Sequence, residues 1–70
     1  MAGTLADIGS AAGEVWRFLA SHGPTAADTA RRKTGLGSNV FYAAVGWLAR
    51  EDKLSIRTEG KKVILELKGT

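Results

Sequence analysis

Apolar residues return every three or four positions along the first part of the chain: Leu5, Ile8, Ala12, Val15 and Leu19, with Ala11 and Phe18 beside them. At about 100° per residue they fall on one broad face, so the spacing predicts a helix with a buried stripe. Thr4 and Asp7 stand at capping-box spacing, with Asp where Glu or Gln is usual, which places the helix start at Thr4. Asp7, Ser10, Glu14, Arg17 and Ser21 gather on the opposite side and read as a solvated face. A third flank carries Gly9, Gly13, Trp16 and Ala20. At His22-Gly23-Pro24 the helix ends, because glycine accepts a left-handed cap and proline cannot continue the ladder. His22 has no second ligand or base beside it in the sequence and reads as a residue suited to a helix C-terminus.

A second, shorter helical segment, AADTARRK, is followed by TGLG and then by SNVFYAAVGWLAREDK. Thr25 and Asp28 again have capping-box spacing, and Ala27 and Ala30 form the apolar side. The glycines of TGLG suit a tight turn with Leu36 as an inward anchor, and Ser38 or Asn39 is the expected cap of the next helix. Centring that helix on Val45 puts Phe41, Ala44, Leu48 and, at the margin, Val40 inside. Asn39, Tyr42, Ala43, Gly46, Trp47 and Arg50 are then left outside.

From Leu54 the period changes from helical to alternating. Leu54 and Ile56 alternate with Ser55 and Arg57, and Val63, Leu65 and Leu67 alternate with Ile64, Glu66 and Lys68. Each run has one apolar face, as in a half-buried strand. Pairing Ile56 with Val63 and Leu54 with Leu65 brings the apolar rows together around a loop at Glu59-Gly60, or a wider one at Thr58-Lys61. Arg57 then faces Lys62, Ser55 faces Ile64 and Lys53 faces Glu66.

Helix, turn and helix followed by a hairpin resembles the winged helix-turn-helix fold over essentially the whole chain, residues 1–70 as one α+β domain. The TGL before the third helix, the GWLAREDKL at its end and the AGEVWRFL of the first helix also resemble a family of small stand-alone prokaryotic winged-helix proteins of uncharacterised function. The resemblance implies a short edge strand near Pro24-Thr25 beside the hairpin. It also implies binding of double-stranded DNA in a transcription-related role.

Length and charge sharpen this picture. A chain of seventy residues buries only about 60% of its unfolded surface, so a partner subunit would help it. It has no cysteine and no cluster of metal-ligating residues at ligand spacing, which suits a reducing cytoplasm and leaves no expected cofactor or metal. No apolar run is long enough for a spanning helix, and no charged n-region follows Met1, so a soluble protein is expected. The net charge of +3 is unevenly distributed. Residues 1–30 carry Arg17 against Asp7, Glu14 and Asp28, whereas residues 31–70 carry nine basic against four acidic side chains. The basic half is the helix-turn-helix and wing, the distribution that phosphate binding needs.

Candidate DNA contacts follow from that distribution. Arg31 and Arg32 close the second helix beside Lys33, where they either offset the helix dipole or reach the DNA backbone that this helix crosses in a docked motif. Arg57, Lys61 and Lys62 stand at the wing tip, where lysines either protect strand edges or bind phosphates. At the start of the third helix Asn39 is the residue suited to a base edge, with Ser38 and Tyr42 as weaker candidates.

A competing reading is a homodimer. Two glycines inside a helix cost about 1 kcal/mol each relative to alanine, and close approach of another backbone would compensate. Either the wing or second helix of the same chain packs there, or a second subunit does, with Trp16 inserting beside Gly9 and Gly13. Ala43, Gly46 and Trp47 form a second shallow apolar surface, unless Trp47 folds over the hairpin as peripheral core. No nucleophile with a neighbouring base, no close carboxylate pair and no phosphate loop is present in the sequence, so neither enzyme chemistry nor a small-molecule substrate is expected.

Overall fold

A computed structural model of the chain describes residues 5–68. Three helices and three strands follow in the order α1 (Leu5–His22), β1 (Thr25–Ala26), α2 (Ala27–Thr34), α3 (Ser38–Arg50), β2 (Leu54–Glu59) and β3 (Lys62–Leu67). The expected Thr4 cap lies outside the described residues, as does the burial expected of the Leu5 side chain. Among the described residues no helix is long and apolar enough to cross a membrane.

The apolar stripes meet as their spacing demands. Ala11, Ala12, Val15 and Leu19 of α1 pack with Ala27 and Ala30 of α2 and with Phe41, Ala44, Val45 and Leu48 of α3. Phe18, Leu36 and Val40 border this core, and Leu54 and Leu65 close it from the sheet. At the end of α1 the Gly23 N–H donates to the Leu19 carbonyl (2.8 Å). His22 stacks on Phe18 with ring centroids 4.0 Å apart and donates from Nδ1 to the Phe18 carbonyl (2.9 Å), a local helix-end role.

Two expected caps are replaced. Thr25 belongs to β1 and its hydroxyl donates back to the Gly23 carbonyl (2.9 Å), so the residue before α2 is Ala26, with no side-chain cap. At α3 the cap position is Gly37 and again no side chain caps it, because Ser38 and Asn39 are already the first helical residues. The backbone closes that turn, with Phe41 N–H donating to the Gly37 carbonyl at 2.8 Å. Between the two helices Gly35 adopts φ 75°, a left-handed conformation that glycine takes without steric cost, and its N–H donates to the Arg31 carbonyl (3.1 Å).

α3 ends in a Schellman motif. Asp52 has φ 62°, its N–H donates to the Ala49 carbonyl (3.0 Å), and the Lys53 N–H donates to the Leu48 carbonyl (2.9 Å). An ion pair from Lys68 Nζ to Asp52 Oδ1 (2.6 Å) and a backbone bond from Lys68 to Lys53 (3.1 Å) tie this turn to the end of the hairpin.

The sheet is antiparallel with strand order β1-β3-β2. Thr25 and Ala26 pair with Leu65 and Ile64, which realises the expected edge strand one residue later in the chain. The hairpin register differs from the expected one by two residues: Leu54 faces Leu67, Ile56 faces Leu65 and Thr58 faces Val63. Ser55 is therefore opposite Glu66, Arg57 opposite Ile64 and Glu59 opposite Lys62. An even shift keeps every side chain on its face, so alternation alone does not distinguish the two registers. The turn does distinguish them. Gly60 has φ 62° and Lys61 does not share the positive sign, which fits a two-residue loop with glycine at its first position. The helices cover only the base of this hairpin: Leu54 and Leu65 are buried, while Ile56 and Val63 towards the tip stand exposed on the same face.

Candidate nucleic-acid interface

Between the start of α2, the first half of α3 and the tip of the wing lies a cleft of about 270 Å³. Arg32, Tyr42, Lys61 and Lys62 line it together with Asp28, Thr29 and Val63. Each reaches the cleft through the local structure described above. Arg32 is on the exposed side of α2, where its guanidinium approaches the Thr29 hydroxyl (3.4 Å). Tyr42 is held edge-on against buried Phe41, with centroids 5.0 Å apart. The tight loop at Gly60-Lys61 turns the chain so that both lysines stand at the same rim.

Among the described residues, ion pairs engage Arg57 and Lys68 but not Arg32, Lys61 or Lys62. The cleft therefore presents three unpaired cations against one carboxylate, that of Asp28 in the first turn of α2. Such a concave, cation-rich surface attracts phosphate. Asp28, Thr29 and Val63 join this site without a local sequence signal, because the contact between the start of α2 and the wing is made through the β1-β3 pairing.

The remaining candidates lie elsewhere. Ser38 and Asn39 are exposed at the start of α3 but do not line the cleft. Arg31 is half-buried, and its carbonyl accepts from Gly35 N–H (3.1 Å) and the Thr34 hydroxyl (3.1 Å). Arg57 lies across the outer face of the hairpin, paired from Nε with Glu59 (2.9 Å) and from Nη1 with Glu66. The hydrogen bond that Arg57 donates to Glu59, followed by the one it donates to Glu66, raises the Arg57 pKa above its ordinary value. The Glu66 pair was hidden by the expected register, which placed Glu66 opposite Lys53.

A second concavity, of about 410 Å³, separates α1 from the end of α3. Both tryptophans line it, Trp16 at 43% and Trp47 at 39% exposure, together with Gly9, Gly13, Arg17 and Lys53 over Ala12 and Leu48. Among the described residues, neither the wing nor α2 packs against the glycines. A Cβ on Gly9 would meet nothing within 4 Å, and one on Gly13 would meet only the Arg17 guanidinium at 3.5 Å. Ala43 is half-buried and Gly46 is exposed, and neither lines this groove. The sequence placed Arg17 on the solvated face and assigned Lys53 to a strand pair; the Schellman turn after α3 is what carries Lys53 to the groove.

Known proteins resemble this chain in sequence and in fold. An uncharacterised protein of Methanocaldococcus jannaschii, MJ1608, is 36% identical over 63 residues, covering 87% of this chain and 90% of that protein. The solution structure of protein BT2368 from Bacteroides thetaiotaomicron superposes with a TM-score of 0.80 at 31% identity, over 89% of this chain and 76% of that one. With a helix-turn-helix at Ala27–Arg50 and a wing at Leu54–Leu67, and with residues 2–67 matching the winged helix-turn-helix domain family DUF2582, the chain belongs to that family.

Proposed function

We propose that this domain binds double-stranded DNA in a transcription-related role in the cytoplasm, with α3 offered to the major groove and the wing and α2 holding the adjacent backbone. The convergence of Arg32, Lys61 and Lys62 on one cleft, free of ion pairs among the described residues, carries this reading. Cations already matched by carboxylates gain little from a phosphate, so Arg57 stands apart from the contact set. Phosphate contacts position a protein on the duplex and base contacts specify the site. Arg32, Lys61 and Lys62 take the first role, supported by Arg31 at the flank and by the Tyr42 hydroxyl. Asn39, exposed at the start of α3 with Ser38 beside it, takes the second.

Fluorescence anisotropy with a mixed-sequence duplex at two salt concentrations tests this. Each neutralised phosphate contributes about −0.9 to the log-log salt slope, so three contacts predict about −2.7. Replacing Lys61 and Lys62 by alanine removes about 1.8 of that slope without changing preference among sequences. Asn39→Ala does the reverse, changing preference while leaving the slope intact. Absence of binding at low salt refutes the proposal.

A further inference from the structure

The groove between α1 and α3 shares no lining residue with the DNA cleft. Its walls are apolar: two indoles, each about two-fifths exposed, flank a strip of α1 backbone left bare at Gly9 and Gly13. Its charges have one sign. Arg17 comes from α1 and Lys53 from the turn after α3, no acidic residue lines the groove, and neither cation is ion-paired among the described residues. Glu51 lies beyond the last turn of α3 and is not in the lining.

This chemistry discriminates between occupants. In a two-fold dimer the patch would meet its own copy, which would enclose two copies each of Arg17 and Lys53 with no carboxylate among the described lining residues to answer them. A complementary occupant has apolar anchors and carboxylates. From Gly9 to Trp16 the helix advances about 10.5 Å, at about 1.5 Å per residue. That matches a partner helix with anchors at i, i+3 or i+4, and i+7.

We propose that the groove formed by Trp16, Trp47, Gly9 and Gly13 docks an acidic amphipathic helix of a partner protein, with Arg17 and Lys53 receiving its carboxylates. The bare backbone at the two glycines admits the anchor side chains, and the indoles cover them on both sides. This proposal is independent of the DNA reading, because it uses different residues and leaves the wing free.

The test uses the full chain, labelled with nitrogen-15, and a panel of helical peptides that share Leu and Phe anchors at i, i+3 and i+7 but carry either Glu or Lys at the flanking positions. Acidic peptides are expected to shift the Trp16 and Trp47 indole resonances and the Gly9 and Gly13 amides saturably, while the basic peptides leave them unmoved. The R17E/K53E double variant weakens acidic-peptide binding by about tenfold or more and transfers the preference to the basic peptides. Gly13→Leu, which fills the groove from a helix position, abolishes binding while the remaining amide spectrum keeps its dispersion. Two results overturn the proposal: no acidic peptide shifting the indoles, or acidic and basic peptides binding equally. A third is a particle mass that doubles with concentration while the same indole resonances move without peptide, which assigns the groove to a second copy.

Discussion

Gly9 and Gly13 are the positions where the structure makes its sharpest statement about stability. Both lie inside α1, and glycine in a helix interior costs about 1 kcal/mol relative to alanine through the backbone freedom lost on folding. Such a cost is ordinarily retained where a neighbour needs the space, but among the described residues no neighbour does. A methyl group on Gly9 would meet nothing within 4 Å, and one on Gly13 would touch the mobile end of Arg17 at an ordinary 3.5 Å. Gly9→Ala and Gly13→Ala are therefore each expected to stabilise the domain by about 1 kcal/mol, and the double variant by about 2 kcal/mol. For a domain of this size each step corresponds to a rise in Tm of roughly 4–8 °C. Gly35→Ala should act in the opposite direction, because its φ of 75° strains any residue with a Cβ. Thermal melts followed by helical circular dichroism, with urea titrations to check that the m-value is unchanged, measure all four variants. Loss of stability at Gly9 or Gly13 would refute the reasoning, since it would mean that another part of this chain occupies the space described as open.

Asp28 is the single carboxylate among the described residues lining the cationic cleft, so Asp28→Asn is expected to tighten DNA binding and steepen its salt dependence in the anisotropy assay; weaker binding by a folded variant counts against the cleft as the phosphate site. Arg57→Ala removes a cation already satisfied by Glu59 and Glu66, so affinity and salt slope should both stay where they are; a slope reduced by about 0.9 would return Arg57 to the contact set.

The helical faces were legible in the sequence because side-chain period and burial are linked directly: Phe41, Ala44, Val45 and Leu48 lie inside α3 as their spacing requires. The hairpin shows where that link weakens. Alternation determines which face Leu54, Ile56, Val63 and Leu65 occupy, but it is unchanged by a slip of two residues, and only the backbone demand at Gly60 selects the register. The expected register sets Arg57 opposite Lys62, whereas the observed one sets it opposite Ile64 and diagonal to Glu66, with which it pairs. Helix caps depart from expectation for a different reason. Thr25, Ser38 and Asn39 have cap chemistry, but Thr25 is engaged in the sheet and the other two are already inside the helix. The cleft itself was half legible: its cations stood out, while Asp28 joined them only through a pairing between β1 and β3 that no local pattern announces.

That pairing has a consequence for how the chain is made. β3 sits between β1 and β2, yet it follows both in the sequence, and Thr25 finds its partner Leu65 only after about forty more residues have been added. During synthesis the three helices leave the ribosome first and can associate through contacts close in sequence, whereas the sheet has no middle until its last strand arrives. Until then β1 and β2 are two separate open edges, and the apolar surface that Leu65 later covers faces the solvent and any chaperone near the exit tunnel. Burial of that surface is thus a signal that translation has passed Leu67. A nascent chain stalled upstream of β3 would leave that apolar helical face uncovered, and pairing of β3 with β1 and β2 withdraws it.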